Sequence, residues 1–335
     1  MLRSFKLSGR FAVFSPKSLL NATDYVIIEK MRLYHKKEDF ALYLGDCLDI
    51  LPQIEKGSVT TIFADPPYNL SNGGISCRAG KKVSVNKGDW DKSKGFQKDY
   101  EFTHNWIKAC RDVLKPNGTI WISGTPHNIY QVGYALRSLG FNIMNEISWY
   151  KPNAPPNLSC RYFAHAHETL IWAKKDKEAK HIFNYKMMKE WEDKFAPSGN
   201  QMRSLWNIPL TPQSEKLLGK HPTQKPIELL KRMIASSSNK NDVILDPFNG
   251  SGTTGVVSKI LSRKYVGIDK EKPYLDLTIR RFNSVANKPD IQVDLKEVRK
   301  QYEELFREKP SSTLTASQIK DFITEANKQF ESEYP

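Results

Sequence analysis

The chain has 335 residues, of which 39% are hydrophobic, and it carries a formal net charge of +14. Its size allows one large domain or two ordinary ones, and the lack of a long uncharged apolar stretch excludes a helical membrane protein. Lys and Arg number 51 against 37 acids, which favours a polyanionic partner, with nucleic acid ahead of a membrane surface. The four cysteines form no CxxC pair, which argues against a zinc site or a disulfide framework and indicates a reducing cytosol.

The first elements follow a basic N-terminal stretch that contains no acid up to residue 23 and that we interpret as a dispensable extension, residues 1–37. After it, short apolar runs alternate with helical patterns. Strands are predicted at 40–46, 58–65, 119–124 and 141–151, and helices at 102–118 and 128–140. This alternation predicts an α/β domain built on a doubly wound, mainly parallel sheet.

The composition then changes, because residues 152–220 are rich in Pro, Asn, Ser, Lys and aromatic residues and contain one strand-like run, 168–175. The α/β alternation returns after this inserted region. Helices are predicted at 222–237, 252–263 and 273–285, and strands at 242–246 and 264–269. We therefore expect one α/β domain over residues 38–289 and a charged helical tail over 290–335.

A rigid motif ends the second predicted strand, in the run "IFADPPYNL". Two adjacent prolines cannot continue a central strand, because each lacks an N–H and has a fixed φ. The motif places a carboxylate and an aromatic ring side by side at the strand end, at Asp65 and Tyr68. Taken alone, the pattern fits a simple strand-to-loop turn as well as a functional site.

A glycine-rich motif, "LDPFNGSGTTG", joins a later strand to a helix. Its glycines allow a tight turn and a close approach of the backbone to a ligand, and the helix start offers N–H groups. Asp269, at the end of the next strand, is placed to hold two ribose hydroxyls. This pattern suits NAD as well as S-adenosylmethionine, but Asp246 before the loop and Asp46 after the first strand favour a cationic ligand.

The two motifs together, in this order, resemble the amino-group DNA methyltransferases. With the catalytic motif first and the cofactor glycines last, the order is similar to the β class, whose members are mostly adenine-N6 methyltransferases of restriction–modification systems. Further matches are "GDCLDILPQI" (45–54), "GDWDKS" (88–93), "HPTQKPIELLKRMI" (221–234) and "YVGIDKE" (265–271). The resemblance covers residues 40 to 285 and implies a Rossmann-like S-adenosylmethionine-dependent methyltransferase fold with circularly permuted motifs.

The resemblance also implies a role for individual residues. A catalytic group at the flipped base comprises Asp65, Pro66, Pro67 and Tyr68. A cofactor group also includes Asp65. Its other members are Asp46 and Cys47 near the adenine, Thr223 and Lys225 near the carboxylate end, Asp246 near the amino group and Asp269 at the ribose. The residues along the methionine part are Phe248, Asn249, Gly250, Ser251, Gly252 and Thr253. No metal is required.

The chemistry explains why these residue types are needed. The lone pair of an aromatic amine is delocalised, so it must be aimed at the methyl carbon by acceptors for the two N–H hydrogens. Asp65 and the Pro66 carbonyl can serve as those acceptors, and Tyr68 offers a stacking face. The same geometry serves cytosine N4, which remains an alternative. A cytosine-C5 mechanism needs a nucleophilic Cys in a Pro-Cys pair, which this chain lacks.

Two readings from other classes also stay open. An NAD-dependent oxidoreductase would leave Asp65 and Tyr68 unused, and a non-catalytic DNA-binding module would have no need of the glycines. For DNA contact the candidates are Lys151, Asn157, Arg161 and Arg203, within or beside a target-recognition region at 152–220. The Gly- and Lys-rich stretch 69–91 is predicted to be a closing loop. We expect double-stranded DNA as substrate, single-stranded DNA as an alternative, a homodimer, a cognate restriction endonuclease and a location at the nucleoid in a bacterial or archaeal cytoplasm.

Overall fold

The computed structural model describes residues 32–71, 75–78, 81–84, 88–157 and 160–285. Most of the predicted N-terminal extension and the whole predicted tail from residue 290 lie outside the described residues. None of the helices within the described ranges is long and apolar enough to cross a membrane.

The described residues form eleven strands and seven α-helices. The strands are β1 Leu33–Lys37, β2 Phe40–Leu44, β3 Val59–Ala64, β4 Ile75–Arg78, β5 Lys81–Ser84, β6 Leu114–Gly124, β7 Asn142–Tyr150, β8 His167–Lys174, β9 Leu205–Asn207, β10 Val243–Asp246 and β11 Lys264–Asp269. The helices are α1 Cys47–Ile50, α2 Phe96–Val113, α3 Ile129–Ser138, α4 Tyr185–Lys189, α5 Ile227–Ser237, α6 Thr253–Ile260 and α7 Lys272–Ser284. Three 3₁₀ turns cover Leu51–Gln53, Asp89–Asp91 and Gln213–Lys216.

Nine of these strands make one sheet in the order β1-β2-β11-β10-β3-β6-β8-β7-β9. The five neighbouring strands β2, β11, β10, β3 and β6 are parallel to one another. Strand β1 runs antiparallel to β2, and β8 runs antiparallel to both of its neighbours. In this sheet β3 and β10 are neighbours. Strands β6 to β9, which follow β3 in the chain, lie on one side of this pair, and β11, which follows β10, lies on the other side. A crevice therefore opens beyond the carboxyl ends of these two adjacent strands, where ligands bind in open α/β sheets. The predicted doubly wound, mainly parallel fold is confirmed.

The core lies on both faces of this sheet. All six residues of β3 are buried, as expected for a central strand covered on both faces. Ile62 lies in one apolar cluster with α2 and α3, and Phe63 lies in a second cluster with α5, α6 and α7. Each large side chain buried in this way stabilises the fold by about 1.5–3 kcal/mol. The helices packed on the two faces of the sheet therefore hold the ends of β3 and β10 in place.

Several predicted element boundaries were wrong, including the start of α2, at Phe96 rather than 102, and the start of α5, at Ile227 rather than 222. The helix expected to end at Gly118 ends at Val113, and residues 114–118 already belong to β6. Leu114 has extended backbone angles and pairs with Val59, and Pro116 disfavours helical geometry in the residue before it. Strand β1 was not predicted, because its charged sequence LYHKK carries no apolar run, yet it pairs with β2 and extends the sheet five residues before the expected domain start.

Other elements were missed because they are short. These are α1 and the 3₁₀ turn after it, α4 and β9 in the inserted region, and the β4–β5 hairpin within the predicted closing loop 69–91. Elements of three to five residues carry too few periodic positions to be recognised from the pattern alone. The hairpin β4–β5 forms its own two-stranded sheet.

Candidate active site

A cleft with a volume of about 340 Å³ opens at the carboxyl ends of β3, β10 and β11. The loops after these strands line the cleft, together with residues between 89 and 103 and the turn before α5. Fourteen of the residues predicted for catalysis or cofactor binding line it. They are Cys47, Asp65, Pro66, Pro67, Tyr68, Thr223, Lys225, Asp246, Phe248, Asn249, Gly250, Ser251, Thr253 and Asp269.

Asp65 is held by three donors at the end of β3. The Lys225 ammonium lies 2.7 Å from Oδ1 and 2.6 Å from Oδ2 of this carboxylate. The Ser123 hydroxyl, at the end of β6, donates to Oδ1 at 2.6 Å, and the Tyr68 hydroxyl donates to the same oxygen at 2.7 Å. The carboxylate is therefore fixed in one orientation toward the cleft.

A second carboxylate, Glu168 at the start of β8, completes a charge-balanced cluster. It forms an ion pair with Lys151 and lies 3.7 Å from the Lys225 ammonium. Burial alone would raise the pKa of Glu168, but the two ammoniums outweigh it and lower that pKa. For Lys225, burial alone would lower the pKa, but Asp65 and Glu168 outweigh it and raise that pKa. The cluster thus favours the charged forms of Glu168 and Lys225, whereas burial outweighs the acids at Lys151 and lowers the pKa of that ammonium.

The Tyr68 ring is buried beside this cluster. Its hydroxyl lies 3.2 Å from Glu168 as well as 2.7 Å from Asp65, and the Lys225 ammonium is 5.0 Å from the ring centroid. Burial, reinforced by the two carboxylates, raises the pKa of Tyr68 well above its usual value. The phenol is therefore neutral and serves as a hydrogen-bond donor and an aromatic wall.

Asp91 anchors the loop that follows the two prolines. This buried carboxylate accepts from the backbone N–H of Tyr68 at 3.0 Å and of Leu70 at 3.2 Å, and from the Ser71 hydroxyl at 2.8 Å. Between them Asn69 adopts a left-handed conformation with φ of 58°. Asp91 therefore fixes the backbone that presents Tyr68.

The glycine-rich turn after β10 depends on two left-handed residues, Gly250 with φ of 50° and Gly252 with φ of 71°. A Cβ at Gly252 would lie 2.3 Å from the Thr278 methyl carbon of α7, so this position has no room for a side chain. Gly252 caps the start of α6 and packs against α7. It does not itself line the cleft, although the resemblance implied that it would.

Buried polar groups support this turn from behind. Arg281 of α7 donates to the Ser251 carbonyl at 2.7 Å and to the Thr253 hydroxyl at 2.9 Å. Asn249 donates to the Thr278 hydroxyl and accepts from the Tyr265 hydroxyl, each at 2.8 Å. These bonds hold the backbone of the turn in place, and the Asn249 amide is directed into the protein rather than toward a ligand.

Asp246, the last residue of β10, is 2% exposed. It accepts hydrogen bonds from the Phe248 N–H at 3.0 Å and the Thr254 hydroxyl at 2.5 Å, and it has no ion-pair partner among the described residues. Burial raises its pKa to about 7. A buried carboxylate without a counter-charge is a strong site for a cationic group of a ligand.

Asp269 marks the third strand end, and its pKa is also raised by burial, to about 6. It accepts from the Gly250 N–H at 2.7 Å and from the Glu271 N–H at 2.9 Å. The carboxylate thus ties the glycine turn to β11. It keeps further lone pairs for hydroxyl donors in the cleft.

Asp46 does not line the cleft. One of its oxygens accepts from the Leu48 N–H and caps α1, and the other lies 2.7 Å from the Lys270 ammonium. The neighbouring Cys47 does line the cleft, and burial raises the pKa of its thiol, so it acts as an apolar wall.

The four predicted DNA contacts occupy different surroundings. Lys151 turns its ammonium inward to Glu168, and Asn157 donates to the Tyr162 carbonyl at 2.7 Å. Arg161 and Arg203 are exposed. Lys151 and Arg161 belong to the connection that leaves β7 at the cleft edge of the sheet and returns to β8.

Four residues that support the site were not predicted: Ser123, Glu168, Asp91 and Arg281. Asp91 lies within a matched sequence, "GDWDKS", which could have drawn attention to it. The others carry no local signal, since their partners are distant in the chain. Among residues within the described ranges, no cluster of three or more His, Cys, Asp or Glu is arranged to hold a metal ion.

Comparison with known sequences matches residues 59–280 to the DNA methylase family. The chain is 52% identical to the type II methyltransferase M2.LlaDCHI of Lactococcus lactis subsp. cremoris over 268 residues, which covers 80% of this chain and 98% of that protein. It is 52% identical to M2.DpnII of Streptococcus pneumoniae over 75% of this chain and 92% of the relative. It is 45% identical to M2.MboI of Moraxella bovis over 81% and 98%.

Among solved structures, the fold is similar to M1.HpyAVI in complex with SAM, with a TM-score of 0.54 and 28% identity over 73% of this chain and 99% of that one. It is also similar to the cytosine-N4-specific PvuII DNA methyltransferase, with a TM-score of 0.58 over 81% and 95%. At 18% identity, the second likeness concerns the fold alone.

Proposed function

The chain belongs to the DNA methylase family, and we propose that it transfers a methyl group from S-adenosylmethionine to the N6 amino group of adenine in a specific DNA sequence. The observation that supports this most is that Asp65 and Asp246 lie at the ends of two adjacent strands and line the same cleft. One carboxylate faces an amine acceptor, and the other suits the cationic end of the methyl donor.

The cleft fits S-adenosylmethionine on three counts. Asp246 is a buried carboxylate without a resident cation and would hold the ammonium of the amino-acid part. Gly250 lets the backbone approach the ligand closely, and Asp269 has lone pairs left for the ribose hydroxyls. When bound, the cofactor supplies an electrophilic methyl group on a sulfonium.

The chain's own residues orient the acceptor. Asp65 and the carbonyl of Pro66 would accept the two N–H hydrogens of the target amine, which directs its lone pair toward the methyl carbon. The amine would accept the methyl group that the bound cofactor supplies and would then lose one proton. Tyr68 would stack on the base, a contact worth about 1–3 kcal/mol. Its ring is positioned by Asp91 through the backbone of the loop.

Adenine N6 is proposed ahead of cytosine N4 because the motif order resembles a class of mostly adenine enzymes. The decisive experiment is to incubate the purified protein with DNA and S-adenosylmethionine labelled in the methyl group, digest the DNA and separate the nucleosides. Label in N6-methyl-2′-deoxyadenosine supports the proposal. Label in N4-methyl-2′-deoxycytidine would replace it with the alternative, and no label in DNA would refute a DNA methyltransferase.

The site-specific partners are part of the proposal. The net charge of +14 and exposed Arg161 and Arg203 support contact of the inserted region 152–220 with double-stranded DNA. We also propose a homodimer and a cognate restriction endonuclease that acts on the same sequence. Light scattering of the purified chain tests the first, and resistance of methylated DNA to candidate nucleases tests the second.

A further inference from the structure

Asp65, the carboxylate that we expect to bind the target amine, already accepts hydrogen bonds from other side chains in this structure. Both oxygens of Asp65 contact the ammonium of Lys225, at 2.7 and 2.6 Å. Oδ1 also accepts from the Ser123 and Tyr68 hydroxyls. A carboxylate has about four lone-pair sites, so these donors occupy most of them, and the ammonium occupies the oxygen that Ser123 and Tyr68 leave free. A target amine must therefore compete with Lys225 for Asp65.

The ammonium is also an unfavourable neighbour during methyl transfer. The target amine becomes cationic as the N–C bond forms. If the amine and the Lys225 ammonium share the Asp65 carboxylate at that moment, the two positive charges repel each other strongly in a site with little solvent. Lys225 itself is only 7% exposed, so water screens its charge poorly. Leaving Lys225 on Asp65 would therefore oppose the reaction that Asp65 supports.

Glu168 offers the ammonium a second position. Its Oε2 lies 3.7 Å from the Lys225 Nζ, and its Oε1 is paired with Lys151. A movement of about 1 Å would bring Lys225 and Glu168 to charge-assisted hydrogen-bond distance. The Tyr68 hydroxyl already spans the two carboxylates, 2.7 Å from Asp65 and 3.2 Å from Glu168. Asp65 and Glu168 are thus neighbouring carboxylates, and the Lys225 ammonium can pair with either of them.

We propose that Glu168 takes the Lys225 ammonium from Asp65 when the target amine binds, so that Asp65 is free to accept the N–H and the developing positive charge no longer faces an unshared cation. Glu168 is then a positioning residue that acts through Lys225. This inference rests on the proposed function and adds a residue and a movement to it.

A charge-balanced set of variants separates this role from a structural one. The cluster of Asp65, Glu168, Lys151 and Lys225 has no net charge. Glu168→Gln leaves one cation in excess, Lys225→Met leaves one acid in excess, and the double variant is balanced again. Glu146→Gln on the neighbouring strand β7 is the matched control, because it removes one exposed carboxylate outside the cluster.

The measurements are kcat and KM for DNA at saturating S-adenosylmethionine, the affinity for the cofactor by calorimetry, and the melting temperature. We expect Glu168→Gln to lower kcat roughly 30- to 100-fold, less than the loss of about 10²–10³ for a group that contacts the reacting atoms directly, with KM and cofactor affinity changed less than about threefold. The double variant should be faster than Glu168→Gln alone by about tenfold or more, because the ammonium that blocks Asp65 is gone. Glu146→Gln should behave as wild type.

The inference is overturned if Glu168→Gln keeps the kcat of Glu146→Gln, or if the double variant is no faster than Glu168→Gln. If the variants unfold, the test moves to the wild-type protein in a crystal structure with target DNA and an inert cofactor analogue. Lys225 Nζ should then lie on Glu168, and its continued contact with both oxygens of Asp65 would refute the movement. A wild-type protein that transfers no methyl group to DNA would instead refute the proposed function.

Discussion

The carboxyl ends of β3 and β10 are adjacent and each places a largely buried aspartate at the same cleft, yet their surroundings are opposite. Asp65 has a resident cation, Lys225, and hydroxyl donors from Ser123 and Tyr68. Asp246 has two neutral donors and no cation among the described residues, and its pKa is raised to about 7. Position in the sheet is thus shared, whereas the electrostatic environment differs.

This difference shows how one fold supplies two kinds of carboxylate. The partners of Asp65 come from β6, the loop after β3 and the turn before α5, and the ammonium of Lys225 compensates its charge before any ligand binds. Asp246 lies at the start of the glycine turn, where, among the residues that the structure describes, only a backbone N–H and a hydroxyl donate to it. The first acid can serve as a fixed hydrogen-bond acceptor, and the second is incomplete until a cation arrives.

The largest effect is expected from Asp65→Ala. Removing the acceptor should lower the rate of methyl transfer to DNA by a factor of about 10³ or more, since one preorganised electrostatic contact contributes about 10²–10³ and the substitution also leaves Lys225 buried without its partner. Labelled methyl transfer under single-turnover conditions measures it. Cofactor affinity should change little. A variant with near-normal transfer would show that Asp65 is not the amine acceptor.

The next effect is a pH dependence of the cofactor-free protein. Folded-state pKa values of about 7 for Asp246 and about 6 for Asp269 lie above the unfolded value of 3.8. The folded state therefore binds more protons between pH 4 and 7, and its stability falls as the pH rises through that range. We expect about 4 kcal/mol less stability from these two groups at pH 8 than at pH 5.

Urea unfolding at the two pH values tests this, and Asp246→Asn is the matched control because its amide cannot ionise. The variant should lose most of the slope and be more stable than wild type at pH 8. Equal slopes in both proteins would mean that Asp246 is already compensated in the free protein, and the contrast with Asp65 would fail.

Asp246→Asn should also weaken cofactor binding by a factor of about 100, which is about 2.7 kcal/mol, because the ammonium loses a buried partner. Calorimetry with S-adenosylhomocysteine, which keeps the ammonium, should show the same loss. Methylthioadenosine lacks the amino-acid part and should bind both proteins equally. Asp242→Asn, immediately before β10 at its opposite end, is the control for a carboxylate lost beside the same strand.

Two glycines of the loop after β10 can be compared through substitution. Gly252→Ala combines φ of 71° with a Cβ 2.3 Å from Thr278, and should destabilise the protein by about 2 kcal/mol or more. Gly250→Ala has φ of 50° and its nearest atom, in His221, at 3.3 Å, so its effect on unfolding should be smaller. Calorimetric melting of both variants checks the order, and the reverse order would contradict the packing argument.

The smallest effect is expected from Asp46→Ala. The residue caps α1, pairs with the exposed Lys270 and does not itself line the cleft, so its loss should cost about 1 kcal/mol of stability. Cofactor affinity should change less than about threefold. A tenfold or larger loss of affinity would restore the adenine-binding role that the resemblance implied for Asp46.

Most of the parallel framework was predictable from the sequence, because each central strand carries its own apolar run and each long helix its own period. The boundary at residues 113–118 was not, since pairing of Leu114 with Val59 overrides the helical pattern. Strand β1 was missed for a similar reason: its pairing with β2, rather than its composition, makes it a strand.

The sequence by itself determined the two strand-end motifs, because proline fixes φ, glycine permits positive φ, and an acid after an apolar run must end up at the edge of the sheet. Only the tertiary structure decided what surrounds those acids. Lys225 lies 160 residues from Asp65 in the chain, and Glu168 reaches Tyr68 across 100 residues. Such contacts depend on strand order and on the packing of helices across the sheet, which no local spacing encodes, and they distinguish the occupied carboxylate at Asp65 from the uncompensated one at Asp246.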